Sequence, residues 1–258
     1  MLKALIWDLD GTIAETERDG HRVAFNQAFE EAGLTWNWNA AYYGPLLHVT
    51  GGRERILHDM KQRPDAPASL EDRVAMARAL HLRKNALYAQ RVAAGAISPR
   101  PGVLRLMEEA QAVGVMLAIA TTTSTSNVAA LMHSFFGADW RARFAAVVCA
   151  EDAPQLKPHP QVYERALQAL GIAADEAFAL EDTPNGLRAA QGAGVACGIT
   201  RSAYFVYESY PGAAWVRSDL DTPTVLHLAE IQAWQLAQAG AGQPQPQPQP
   251  QPQWLQPV

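Results

Sequence analysis

Residues 2–12 read Leu2-Lys3-Ala4-Leu5-Ile6-Trp7-Asp8-Leu9-Asp10-Gly11-Thr12. The run 2–9 is mostly apolar and reads as a strand buried on both faces. Aspartate is depleted in strands, yet two stand at the end of this one, two residues apart and followed by glycine. Period-two geometry points both carboxylates to one face at the carboxyl edge of a sheet. Ligands of open α/β sheets bind at that edge. Two close carboxylates repel each other unless a cation or a shared proton resolves the pair.

Working outward, four similar apolar runs follow, at 115–120, 145–150, 177–180 and 195–199. Helical patterns fall between them at 102–113, 125–136, 160–171 and 185–194, and Gly114, Gly171 and Gly194 stand where three of these helices should stop. Strand alternating with helix predicts an α/β fold with a parallel sheet covered on both faces. One segment breaks the rhythm. Between residues 16 and 95 no buried strand is found, while Phe25, Ala28, Phe29 and Ala32 recur at helical spacing up to Gly33. Ser69-Leu70-Glu71-Asp72 has the form of a helix start with an acidic third residue. A helical insertion directly after the first strand is expected, with Pro99-Arg100-Pro101-Gly102 marking the return. Past residue 239, glutamine and proline alternate from Gln243 to Gln253, a composition expected to form an extended, solvated tail. The expected organisation is therefore a core of residues 1–15 and 96–238, an insert of residues 16–95 and a tail of residues 239–258.

Composition narrows the function. The 258 residues are 48% apolar and 18% charged, enough for a real core. Net charge is −5 and the isoelectric point ≈ 5.8, without the basic balance of a nucleic-acid-binding protein. Any anionic ligand must be held by a local cluster. Two cysteines, Cys149 and Cys197, end apolar runs and read as core residues. Asp8 and Asp10 interrupt the first apolar run, so it does not read as a secretion signal, and no apolar stretch is long enough to span a bilayer. A cytoplasmic protein without membrane partners is expected. Lysine is scarce, with only Lys3, Lys61, Lys84 and Lys157.

Three further signals end later strands. Thr121-Thr122-Thr123-Ser124 closes the second run and opens a helix, bringing hydroxyls and free N–H groups to one place, which suits an anion. Lys157-Pro158 follows the third run, and Glu181-Asp182 ends the fourth. Read singly, these could be a helix cap, a solvated lysine and another cap. Read together, four carboxylates, a hydroxyl cluster and one lysine converge on one sheet edge. Hard oxygen donors in that number select Mg²⁺, and the combination equips a site for phosphoryl transfer. No nucleotide-binding P-loop, serine-hydrolase elbow or zinc-protease motif is present.

At these residues the chain resembles the haloacid dehalogenase superfamily. Asp8-Leu9-Asp10-Gly11-Thr12, Thr121, Lys157 and Glu181-Asp182 match its four motifs in order, over residues 1 to about 221. The resemblance implies a Rossmann-like core with a small inserted α-helical cap. It implies that Asp8 is the nucleophile, forming an aspartyl-phosphate, and Asp10 the general acid and base. Thr121 and Lys157 would hold the transferring phosphoryl group. Asp8, the Asp10 main-chain carbonyl and Asp182 would hold Mg²⁺, with Glu181 in support.

The chain is similar, more closely, to the CbbY-like branch of xylulose-1,5-bisphosphate phosphatases, which act on a rubisco inhibitor in the Calvin cycle. The likeness is carried by Ala14-Glu-Thr-Glu17, His21-Arg-Val-Ala-Phe25-Asn26, Thr50-Gly51-Gly52-Arg53-Glu54-Arg55-Ile56, His81-Leu-Arg83-Lys84 and the stretches around Asn127 and Asn185. A bisphosphate needs a second cationic site beyond the core. Gly51 and Gly52 would admit close backbone approach, Arg53, Arg55, His81 and Lys84 would supply charge, and Glu17, Asp10 or Tyr43 would bond sugar hydroxyls. His21, Glu54, Thr122, Thr123, Ser124 and Asn127 complete the expected substrate-binding set. A monomer is expected. The alternatives are a mutase resembling β-phosphoglucomutase, with the same motifs, and a broad-range phosphatase for small phosphate esters.

Overall fold

The computed structural model describes residues 1–241. A six-stranded, all-parallel sheet runs in the order β3-β2-β1-β4-β5-β6. Its strands are β1 (Ala4–Trp7), β2 (Met116–Ala120), β3 (Ala146–Val148), β4 (Ala177–Glu181), β5 (Ala196–Thr200) and β6 (Trp215–Arg217). Side chains alternate between the two faces, as a pleated strand requires. Leu5, Trp7, Leu117, Ile119, Phe178 and Leu180 pack against α5 (Val103–Ala112), α6 (Thr125–Phe136) and α9 (Leu228–Ala241) on one side. Ile6, Ala118, Ala120, Ala179 and Ile199 pack against α7 (Gln161–Leu170) and α8 (Pro184–Gly192) on the other. Cys149 and Cys197 are buried, one in each layer.

The residues between β1 and β2 form a helical mass: a π-helical turn (Glu17–His21), α1 (Arg22–Glu31), α2 (Ala40–Leu46), α3 (Gly52–Met60) and α4 (Leu70–Ala93). Ser69 caps α4, its hydroxyl accepting from the Asp72 N–H at 3.0 Å. This mass has its own aromatic interior, built on Phe25, Phe29, Trp36, Trp38 and Tyr43. A second face, with Ala24, Ala28, Leu87, Tyr88 and Val92, is continuous with the core of the sheet. Arg100 fixes the return to the sheet. Its guanidinium donates to the carbonyls of Gly11, Thr200 (3.0 Å), Arg201 (2.6 Å) and Ser218 (2.6 Å).

Two elements were not foreseen. β6 has only three residues, too few for a periodic signal, and α9 extends to Ala241, past the expected start of the tail at 239. The remaining tail, 242–258, lies outside the described residues.

Candidate active site

β1 sits in the middle of the sheet between β2 and β4, so the tips of these three strands open onto one place. Asp8 leaves the end of β1, its N–H still bonded to Leu180 O at 3.0 Å. Gly11 follows at φ +88°, a conformation open to glycine. A Cβ there would also fall 2.1 Å from Asp182 Oδ2. The turn that brings the first motif against Asp182 therefore needs glycine twice over, for its backbone and for its space.

Lys157 binds this centre together. Its buried ammonium donates to Asp8 Oδ1 at 2.6 Å, Glu181 Oε1 at 2.5 Å and Ala120 O at 2.9 Å. Tyr163 OH also donates to Glu181 Oε1, at 2.7 Å. Asp182 Oδ2 accepts from Ser202 Oγ at 2.5 Å, while the buried Asp182 Oδ1 has no partner among the described residues. Donor oxygens of Asp8, Glu181 and Asp182 lie within 4.8 Å of one another. In the protein alone, burial pushes the Asp8 carboxyl up to about 8 against the pull of Lys157. Burial, with Asp8 and Glu181 nearby, raises Asp182 as well. Ser202 and Arg100 oppose that rise. For Lys157, burial disfavours the charge, but Asp8 and Glu181 hold it above the ordinary lysine value. Three hard oxygen donors, one unpartnered, in a site where burial penalises their charge, fit a divalent metal ion.

The Asp10 carboxylate, expected on the same face as that of Asp8, is not one of the three that converge. Its Oδ1 accepts from Thr16 Oγ1 at 2.6 Å and lies 3.0 Å from His21 Nε2. Burial alone would raise its pKa, but His21 and Thr16 outweigh that and hold it at about 2. This agrees with the resemblance, which gives the metal the main-chain carbonyl of Asp10 and keeps its carboxylate for proton transfer.

Two connected cavities lie over the strand tips. A small chamber of ≈ 70 Å³ is lined by Asp8, Asp10, Thr121, Thr122, Lys157, Asp182 and Asn185, with Leu47, His48, Thr50 and Phe205 above. A wider cleft of ≈ 340 Å³ is lined by His21, Gly51, Gly52, Arg53, Glu54, Arg78, His81, Lys84, Thr123 and Ser124. Asp10, Glu17, Gly51, Arg55 and Thr122 border both.

Most of the expected residues thus meet at one place, with exceptions that the packing explains. Tyr43 and Asn127 line neither cavity. Tyr43 OH donates to Glu17 Oε2 at 2.6 Å and accepts from Arg55 Nη1 at 2.8 Å, standing behind both. Asn127 Nδ2 supports Thr123 Oγ1 at 2.9 Å and reaches Asn85 Oδ1 at 3.2 Å. Glu181 also lies behind the chamber, held by Lys157 and Tyr163. His81 was expected to add charge, but burial and the nearby Lys84 push it down to about 3, so it is a neutral imidazole at pH 7. Arg53 is paired with its neighbour Glu54 at 2.7 Å, and Lys84 Nζ lies over the Phe25 ring, 4.8 Å from its centroid. Sequence reasoning missed Thr16, Arg78, Tyr163 and Ser202. Each is an ordinary residue type in an unremarked place, and only Thr16, next to Glu17 in a quoted phrase, carried any signal.

The family pattern described as haloacid dehalogenase-like hydrolase matches residues 2–194. This chain is a haloacid dehalogenase-like hydrolase. The CbbY protein of Cupriavidus necator is 43% identical over 86% of this chain and 87% of its own length, which places this hydrolase among the CbbY proteins. The crystal structure of CbbY from Rhodobacter sphaeroides in complex with phosphate superposes with a TM-score of 0.82, at 36% identity over 90% of this chain and 100% of that one. A mutant of the same protein in complex with xylulose-1,5-bisphosphate gives 0.81, at 38% identity over 88% and 98%. The hydrolase described here is accordingly a phosphatase of this family. Among the described residues, no helix is long and apolar enough to cross a membrane.

Proposed function

We propose that this phosphatase hydrolyses a sugar bisphosphate, xylulose-1,5-bisphosphate in first place, with Mg²⁺ and through an aspartyl-phosphate on Asp8. The observation that carries the reading is the pair of joined cavities. The chamber has room for one phosphoryl group beside Asp8, Thr121 and Lys157. The cleft offers Arg53, Arg78 and Lys84 to a second anionic group, with Arg55 at the junction. The CbbY relative crystallised with xylulose-1,5-bisphosphate supports the same choice.

Asp8, Asp182 and the Asp10 carbonyl would hold Mg²⁺, with Glu181 behind them. When bound, the ion offsets the repulsion between a carboxylate nucleophile and a phosphate dianion. Lys157 contributes to the same end, its ammonium on Asp8 Oδ1 favouring the ionised carboxylate. An Asp8 oxygen forms the bond to phosphorus as the bond from phosphorus to the sugar oxygen breaks. Asp10 protonates that oxygen. A water then attacks phosphorus, Asp10 takes its proton, and Asp8 is released with inorganic phosphate. At rest Asp10 is a carboxylate, held so by His21 and Thr16. It takes up a proton for the first step as the incoming phosphate dianion raises its pKa.

The test is a panel of xylulose-1,5-bisphosphate, ribulose-1,5-bisphosphate, fructose-1,6-bisphosphate and β-glucose-1-phosphate with Mg²⁺, scored for inorganic phosphate. Preferred release from xylulose-1,5-bisphosphate is expected. Interconversion of hexose phosphates without release would favour a mutase, and equal release from all four a broad-range phosphatase.

A further inference from the structure

One loop of the sheet domain reaches into the aromatic interior of the helical insert. It lies between β5 and β6. Phe205 is buried in the same cluster as Phe25, Trp38 and Tyr43, and its ring stands edge-on to His48 at 5.8 Å. The neighbouring Tyr204 ring stands edge-on to Tyr43 at 5.8 Å and lies over Gly44 in α2. A Cβ at position 44 would come within 3.2 Å of Tyr204 Cδ1. Glycine is a poor helix former, and here the missing side chain is the notch that receives the ring. The buried Tyr204 hydroxyl makes no well-aligned hydrogen bond among the described residues, although the Arg22 side chain of α1 lies near it. The contact rests chiefly on the shape of the ring.

Both ends of this contact lead to the site. At the base of the loop, Ser202 Oγ donates to Asp182 Oδ2, and Tyr210 OH lies 2.7 Å from Asp182 O and 3.0 Å from Phe205 O. On the far side, Tyr43 holds Glu17 and Arg55 where the two cavities meet. The insert also meets the sheet core through the separate Ala24, Ala28, Leu87, Tyr88 and Val92 face, whereas two further links between the parts are polar. Asn85 Nδ2 meets Ser124 Oγ at 3.3 Å, and Asn185 Nδ2 meets Thr50 Oγ1 at 3.0 Å. Water can replace such bonds when the two parts separate. It cannot replace a Phe205 ring buried in an apolar interior and a half-buried Tyr204 ring packed against it.

We propose that Tyr204 and Phe205 form a clasp, a pair of positioning residues that keeps the helical insert closed over the strand tips. Through Tyr43 the clasp sets Glu17 and Arg55 in place for the substrate. A closed insert excludes water and lets distant binding energy act at the reacting phosphoryl group. Only the kinetic arm of the test rests on the sugar-bisphosphate reading; the distance arm does not.

Spin labels on Ala75→Cys in α4 and Glu164→Cys in α7, both exposed, report the separation of the two parts in the full chain; the native cysteines are buried. The parent should give one narrow distance distribution. Tyr204→Ala should broaden and lengthen it, and Tyr204→Phe should leave it as in the parent. Gly44→Ala, whose methyl would press on the ring at 3.2 Å, should move the distribution in the same direction by less, although alanine is the better helix former, and it keeps the test open if Tyr204→Ala folds poorly. For xylulose-1,5-bisphosphate, kcat/KM should fall about tenfold or more in Tyr204→Ala, as for other losses of closure, and stay near the parent value in Tyr204→Phe. Parent-like distances in both Tyr204→Ala and Gly44→Ala would overturn the clasp, and so would an equal kinetic loss in Tyr204→Phe. A lengthened distance in variants of an enzyme that leaves the bisphosphate untouched would uphold the clasp and remove the substrate reading.

Discussion

The Lys157 ammonium stands 2.6 Å from Asp8 Oδ1, with only 4% and 9% of the two side chains exposed. The same nitrogen serves Glu181 at 2.5 Å, so one lysine keeps two buried carboxylates compensated. Breaking a buried pair by removing one partner typically costs about 3–5 kcal/mol. Lys157→Met should therefore lower stability by an amount of that order in urea unfolding at pH 7, as well as removing turnover. Unchanged stability would mean that Lys157 does not compensate these carboxylates in the parent.

Asp8→Asn should abolish turnover and leave the fold intact. The amide keeps the shape of the side chain and loses the nucleophilic oxygen, a change expected to cost many orders of magnitude in kcat. Phosphate release within tenfold of the parent, with circular dichroism unchanged, would exclude Asp8 as the nucleophile.

Chelation should remove activity, and added Mg²⁺ should restore it, with no unfolding in between. The two apolar layers about the sheet contain no metal-dependent element, whereas Asp182 Oδ1 lacks a partner without a cation. Full activity in EDTA would make the acid cluster structural.

Lys84 gives a pH dependence. Burial pushes it down to about 8 from 10.5, with Arg55 adding to the push and Glu17 and Asp10 opposing it. Its charge is present at pH 7 and lost as pH rises through 8. For the bisphosphate, kcat/KM should show a fall above pH 8 that depends on Lys84, since this ratio reports the free enzyme, while the p-nitrophenyl phosphate profile should be the same with and without Lys84. Stability has the opposite sign. Between pH 8 and 10.5 the unfolded chain holds the proton that the folded chain has shed, so stability rises with pH in that window. Lys84→Met should remove both effects.

Arg53→Ala should weaken a bisphosphate about 10–100-fold in kcat/KM, the value of one charge-assisted contact, and p-nitrophenyl phosphate hardly at all. Arg53 lines the cleft and not the chamber. Equal losses on both substrates would assign it to folding of the insert instead.

The sheet and its acidic edge were legible because their signals are local. Five buried runs, glycines at helix ends, Asp8, Thr121 and Glu181 at strand ends, and Lys157 in the loop after β3 each stand out in a few residues. What escaped the sequence depends on distant partners. Asp10 is turned towards Thr16 and His21 by the π-helical turn, whose course no pattern announces. His81 is a cation or a neutral ring according to how deeply it is packed. Tyr43 belongs to a binding set by its likeness to relatives, yet its hydroxyl is spent on Glu17 and Arg55. β6 is too short to show a period. The Tyr204–Gly44 contact joins two residues that, read singly, have no reason to be associated.

Ala14 and Pro99 pair in a short antiparallel bridge. The chain thus departs for the helical insert and returns from it through threads lying side by side, directly after the central strand. Such a geometry makes the intervening residues exchangeable between relatives as a block. A chimaera would have to match two adjacent junctions, the Ala24, Ala28, Leu87, Tyr88 and Val92 face, and the notch that Gly44 leaves for Tyr204. Asp8, Lys157 and Asp182 around the strand tips would remain untouched, whereas Thr16 and His21, the partners of Asp10, would travel with the transplant.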